Sequence, residues 1–285
     1  MRLRLQAGRF CLSCRVMSEE MQDTSETKPQ KPKGSWDDTI KTLFIAVFVA
    51  VLFRSFLFEP FHIPSASMHP TLLEGDYLFV NKMAYGYGRY SFPFGFPLFD
   101  GRILSGDDFP ERGDVVVFRP PGNPRIDYIK RVIGLPGEIV QVRDSRLYIE
   151  GKLVERFAEG SFTAIEGRNK NLAVPIYIET LPNGLEHGTL DYENGRVDPL
   201  GFRDIDPDNT DVYRIPEGHY FMMGDNRDNS RDSRYLNGVG MVPLENIVGR
   251  ADIIFFSVGN GVRIWEIWRW PFAFRTERFL QRINP

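Results

Sequence analysis

The chain has 285 residues, room for one or two folded units plus attachments. Thirty-five Lys and Arg against 38 Asp and Glu leave a net charge of −3, which excludes the strongly basic footprint of a nucleic-acid binder. The two cysteines, Cys11 and Cys14, precede any plausible core, so neither a disulfide framework nor a four-thiolate zinc site holds the fold.

Residues 1–39 read as a polar, largely disordered tail, with SEEMQDTSETKPQKPKGS at its centre. An uncharged run, TLFIAVFVAVLF, follows from Thr42 to Phe53 and continues apolar beyond Arg54 to Phe58. It is apolar on every helical face, which disfavours a half-buried core helix. A transmembrane helix over 40–58 fits it, and the long polar segment before it argues against a short cleaved signal. Lys28, Lys31, Lys33 and Lys41 precede the run, placing the amino terminus in the cytoplasm and the rest of the chain outside. The lipid bilayer is thus an expected partner.

After Glu59, short runs bounded by Gly, Pro, Asp or Asn predict antiparallel strands: DYLFVNKMAYG, GDVVVFRP, DYIKRVIGLPG, EIVQVRDSRLYIEGKLV, GHYFMMGD and IVGRADIIFFSV. No amphipathic helices alternate with them, so the fold class is all-β rather than doubly wound α/β. The expected catalytic core covers 59–152 and 213–262, with an inserted β subdomain over 153–212. The end, 263–285, interleaves Trp265, Trp268, Trp270, Phe272 and Phe274 with arginines. It suits either a membrane interface or an aromatic cap on the β domain.

Cofactor and metal signatures are missing: there is no GxxxxGK[ST], HExxH or Rossmann GxGxxG, and neither a cofactor nor a metal is expected. Three polar spots sit beside apolar sequence. PSASM carries Ser65 and Ser67 in a Pro-constrained segment, which on its own also fits a turn leaving a bilayer. Lys130 lies among apolar strand neighbours; a lysine base needs its pKa lowered from about 10.4 to about 7 or 8, which burial supplies. A snorkelling edge-strand lysine is the plainer reading of that position. Arg131 beside it cannot act as a base, because guanidinium does not deprotonate. GDNRDNSRDSR, Gly224–Arg234, is either a polar support network or a solvated loop.

Together and in this order, FEPFHIPSASMHPTL, GDVVVF, DYIKRVIGLPG and GDNRDNSRDSR resemble the bacterial type I signal peptidases, membrane-bound serine endopeptidases with a Ser/Lys dyad. The resemblance implies that Ser67 is the nucleophile and Lys130 the general base. It implies that Ser65 joins the Ser67 N–H in stabilising the oxyanion, and that Ser230 orients the lysine with Asp232 and Arg234 in support. Phe61, Ile63, Pro64, Met68, Leu72, Leu78, Val117, Tyr128 and Ile129 match the shallow apolar walls that accept small side chains. The implied substrates are signal peptides of translocated preproteins, cleaved after Ala-x-Ala-like sites. The implied place is the bacterial inner membrane, with one span and the catalytic domain on the periplasmic side. Ala66, His69 and Arg231 depart mildly from the pattern.

Overall fold

A computed structural model describes residues 36–91, 101–103, 109–166, 169–192, 205–259, 261–262 and 265–283. Most of the polar tail, Cys11 and Cys14 fall outside them. The helix α1 runs Trp36–Phe56, with Asp37 and Asp38 in its first turn, where the helix dipole favours anions. Its described apolar side chains, among them Leu43, Phe44, Ile45, Val47 and Val51, are all more than half exposed. Among the described residues no helix is long and apolar enough to cross a membrane. The expected span over 40–58 overlaps α1, and the side chains at 52–56 lie outside the described residues.

The strands follow in chain order: β1 Phe58–His62, β2 Asp76–Asn81, β3 Val115–Phe118, β4 Tyr128–Gly134, β5 Ile139–Arg143, β6 Arg146–Ile149, β7 Lys152–Leu153 and β8 Glu155–Glu166. They continue with β9 Asn169–Thr180, β10 Glu186–Leu190, β11 Tyr213–Arg214, β12 His219–Met223, β13 Val242–Pro243, β14 Ile247–Ser257 and β15 Gln281–Arg282. The largest sheet has the order β1-β2-β14-β3-β4-β12-β13, with β15 on β14; β11-β5-β6-β7 and β10-β9-β8 form two more. All named strand pairs are antiparallel.

Local sequence explains much of this. β3 reads VVVF without alternation because both faces are covered. Val115 and Val117 enter one core cluster with Leu72 and Leu78, while Val116 and Phe118 enter another with Tyr220 and Met222. The turns that fold β5 on β6 and β6 on β7 use Asp144–Ser145 and Glu150–Gly151, all with positive φ, as tight hairpins of right-handed twist require.

The region expected as a subdomain over 153–212 contains one three-stranded sheet, β8 to β10, in which β8 and β9 are each 12 residues long. It is tied directly to the polar loop after β12. Leu190 N donates to Asp225 O at 2.9 Å, and Arg227 holds buried Glu179 through two hydrogen bonds. The segment after Trp265 is also tied down: Arg278 donates to both Asp76 carboxylate oxygens, and Phe256 packs on Trp270 and Phe274. Trp265, Trp268 and Phe272 nonetheless remain exposed. This stretch is thus a packed cap that also presents an aromatic outer surface.

Candidate active site

Ser67 sits in a 3-10 turn, Ala66–Met68, just after β1. Pro64 and the extended Ser65 (φ −133°, ψ 153°) bring the chain into the turn. Two bonds from Asn226 pin it: the backbone N donates to Ser67 O and Nδ2 to Ala66 O, both at 3.2 Å. β4 delivers Lys130 from the opposite side. Its Nζ donates to Ser67 Oγ at 2.6 Å and to Ile129 O at 2.9 Å. Lys130 is only 2% exposed, and burial lowers its pKa from 10.5 to about 8, against the opposing pull of Asp232 and Asp225. At neutral pH a useful fraction is therefore uncharged and able to accept a proton.

The flanking groups divide. Ser65 Oγ lies 3.5 Å from Ser67 Oγ, close enough to flank it and too far for a strong hydrogen bond. Asp232 accepts from Gly224 N at 3.0 Å and pairs with Arg234 through both carboxylate oxygens, at 2.9 Å each. Ser230 Oγ is buried and makes no hydrogen bond among the described residues. It instead packs at Gly224, where a Cβ would stand 2.2 Å from Ser230 Oγ and 2.5 Å from Ser67 O. His69 packs on Phe162, and His219 Nδ1 meets the Glu217 carbonyl, so neither is hydrogen-bonded to Ser67.

A groove of about 320 Å³ opens beside the pair. Phe61, Ile63, Pro64, Val117, Tyr128 and Ile129 line it with Ser65, Ser67 and Lys130. Met68, Leu72 and Leu78 do not reach that groove; all three are fully buried in the cluster behind it and back its wall. β12 pairs with β4 only from Arg131 onward, so the Tyr128–Lys130 end of β4 has β3 on one side and no strand of the described residues on the other.

With that geometry in place, the comparisons with known proteins become specific. The family profile described as signal peptidase, peptidase S26, matches residues 36–256. The chain belongs to this signal peptidase family. Signal peptidase I of Rickettsia canadensis (strain McKiel) is 46% identical over 222 residues, covering 76% of this chain and 78% of that protein. Signal peptidase I of Rickettsia akari (strain Hartford) is 42% identical over 236 residues, covering 82% and 84%. A solved signal peptidase I from Enterococcus faecalis V583 aligns at 25% identity over 50% of this chain and 96% of that one, with a TM-score of 0.27, too low to bear on the fold. Membership of peptidase S26 makes the chain a serine endopeptidase of the signal peptidase I type.

Sequence reading passed over several positioning groups of this signal peptidase site. Asp225 takes Arg131 Nε at 2.9 Å and Nη2 at 2.8 Å, and Thr71 Oγ1 at 2.6 Å. Arg131 holds the Asp225 carboxyl below its usual range despite complete burial. The adjacent Asn226 then holds the Ser67 turn. The signal available was the GDN at the start of the polar loop beside apolar FMM, which indicates a buried network without naming partners.

Proposed function

We propose that this signal peptidase cleaves signal peptides after small residues with Ser67 as nucleophile and Lys130 as general base. The carrying observation is the buried 2.6 Å contact between Lys130 Nζ and Ser67 Oγ. Neutral Lys130 takes the Ser67 proton as Oγ attacks the scissile carbonyl. Ser65 Oγ and the Ser67 N–H receive the developing oxyanion. The lysine, now protonated, gives its proton to the leaving amine, then activates the water that hydrolyses the acyl-enzyme. Ser230, buried without a hydrogen bond, is available to orient the ammonium, with the Asp232–Arg234 pair behind it.

Substrate fits as an added strand on the free end of β4, backbone to backbone, facing the segment from Phe61 to Ser67. Alternate side chains then point into shallow walls formed by Phe61, Ile63, Val117 and Ile129, which favours small residues at two alternating positions, the Ala-x-Ala pattern. The apolar run through α1 anchors the chain in the bacterial inner membrane by a single span, with the catalytic region outside, and the exposed aromatics of 265–283 rest at the lipid interface.

The test is cleavage of a preprotein carrying an Ala-x-Ala site. Ser67→Ala and Lys130→Met are expected to lose several orders of magnitude in kcat/KM; unchanged cleavage by either removes the dyad. In the wild type, kcat/KM should rise with pH through a limb near 8, because only the neutral lysine is a base. The same depressed pKa costs stability: the cost is fully present below about 8 and is relieved as pH rises from there towards 10.5. Lys130→Met should therefore raise Tm at pH 7, by an amount that shrinks towards pH 10, which separates lost chemistry from lost folding.

A further inference from the structure

The groove beside the dyad has two unlike ends. Its walls recede from Ser67 and Lys130 in step, one running back along the chain to Phe61 and His62, the other to Asp127 and Ile126. At about 3.3 Å per extended residue, the four steps from Lys130 back to Ile126 cover about 13 Å. The near end stops at the dyad, because β12 takes the edge of β4 from Arg131 onward. An added strand therefore has only the stretch up to Lys130 to follow. The walls that accept small side chains take the residues next to the scissile bond, so the residues preceding these leave past the far end. A peptide advances by the same step as β4, which brings one of its fourth to sixth residues before the bond to Ile126.

The far end is a formed surface. Before β4 the chain turns: Ile126 N donates to Asn123 O at 3.4 Å, and Arg125 N to Asn123 Oδ1 at 3.3 Å. This turn presents Ile126 at the groove with 49% of its surface exposed. The neighbouring Asp127 is answered within its own wall. Its Oδ1 receives Arg119 Nε at 2.9 Å, and the Arg119 guanidinium lies over the Tyr90 ring, 5.0 Å from the centroid. On the facing wall the His62 ring lies against Tyr77, with centroids 4.7 Å apart. Burial lowers the His62 pKa from 6.5, which leaves the ring uncharged near pH 7. A passing side chain thus meets an isoleucine and a neutral ring.

We infer that Ile126 is a specificity-determining residue: with His62 it forms a third subsite that selects a large aliphatic or aromatic side chain at one of the fourth to sixth residues before the scissile bond. The inference rests on the groove being the signal-peptide site and deepens that reading. Signal peptides carry an apolar stretch before their small-residue cleavage site. A subsite at this distance engages the end of that stretch while small residues fill the inner walls, and so selects which small-residue site is cut. Covering the exposed half of an isoleucine, and the apolar group that meets it, supports a preference of about three- to tenfold.

The test uses the full chain in detergent and preproteins identical except for Leu, Ser or Asp at the fourth, fifth or sixth residue before the cleaved bond of an Ala-x-Ala site. At one of these positions the wild type should cleave the Leu form with a kcat/KM about three- to tenfold above the Ser form. Ile126→Leu should keep that ratio, Ile126→Ser bring it close to one, and Ile126→Lys turn the preference towards Asp. Ile126 stands half exposed on a turn, and a ratio taken within each variant cancels any loss common to all substrates. A wild-type ratio of one at all three positions, a ratio unchanged in Ile126→Ser, or a wild-type preference for Asp overturns the subsite while leaving the cleavage reading intact. No cleavage of any preprotein by the wild type overturns both.

Discussion

Gly224 is where the site has least room. A single methyl there meets Ser230 Oγ at 2.2 Å and the Ser67 carbonyl oxygen at 2.5 Å, and the latter is backbone held by Asn226. Nothing flexible yields, so Gly224→Ala should displace the Ser67 turn. Because sub-ångström placement governs a proton transfer, we expect at least about a hundredfold loss in kcat/KM, with a stability loss of about 1–3 kcal/mol from overpacking. Steady-state kinetics and thermal melts on one sample check it, and wild-type kinetics in the variant would show that the turn tolerates movement. Ser67 and Lys130 stood out in the sequence only through the order of the four boxes around them; alone, PSASM also fits a turn and Lys130 an edge-strand lysine. Gly224 did not: its constraint is a contact with a residue 157 positions earlier, and local sequence carries no record of that.

Among elements, the sheet of β8 to β10 is coupled to the polar loop after β12 by charge buried on both sides. Glu179 on β9 is 1% exposed and is gripped by Arg227, while Asp225 and Asp232 are gripped by Arg131 and Arg234. All three carboxyls are held below their usual range against the desolvation that would raise them. Their stabilisation is present above the unfolded-state carboxylate pKa of about 4 and is lost as pH falls through the lower folded values. Glu179→Ala should cost about 3–5 kcal/mol, because Arg227 is left buried without its partner. It should also lower cleavage by loosening the loop that carries Asn226. Removing both charges, as Glu179→Leu with Arg227→Met, should recover much of the stability; urea titration of the two variants decides it, and equal losses would disprove the coupling. The strands of the main sheet were readable from short apolar runs between turn residues. The length of β8 and β9 was not, since polar residues such as Asn169, Lys170 and Asn171 at the start of β9 look like loop until a partner strand is supplied. A charge run likewise gives no sign of whether it is solvated or paired inside.

For the whole molecule, the proposed anchoring gives the apolar run of α1 and the aromatic surface of the 265–283 segment separate contacts with lipid, and the two predict different losses. Phe272, 87% exposed, and Trp268, 68% exposed, flank Arg269, an amphipathic pattern suited to head groups rather than to the bilayer centre. Replacing both by Ser should weaken lipid contact by an amount readable as faster dissociation, with the chain still membrane-bound through α1. Placing Asp at Val47 and Val51 puts two charges into the apolar run, at about 2.5–3.5 kcal/mol each in a bilayer, and should release the chain from the membrane fraction. Neither change touches the groove, so cleavage of a soluble peptide should be retained. Processing of a membrane-embedded preprotein should fall, because anchoring raises the effective concentration of enzyme and substrate together. Flotation on anionic vesicles measures the first quantity and paired peptide and preprotein assays the second. A chain that floats unchanged with both aspartates present would show that α1 is not the anchor.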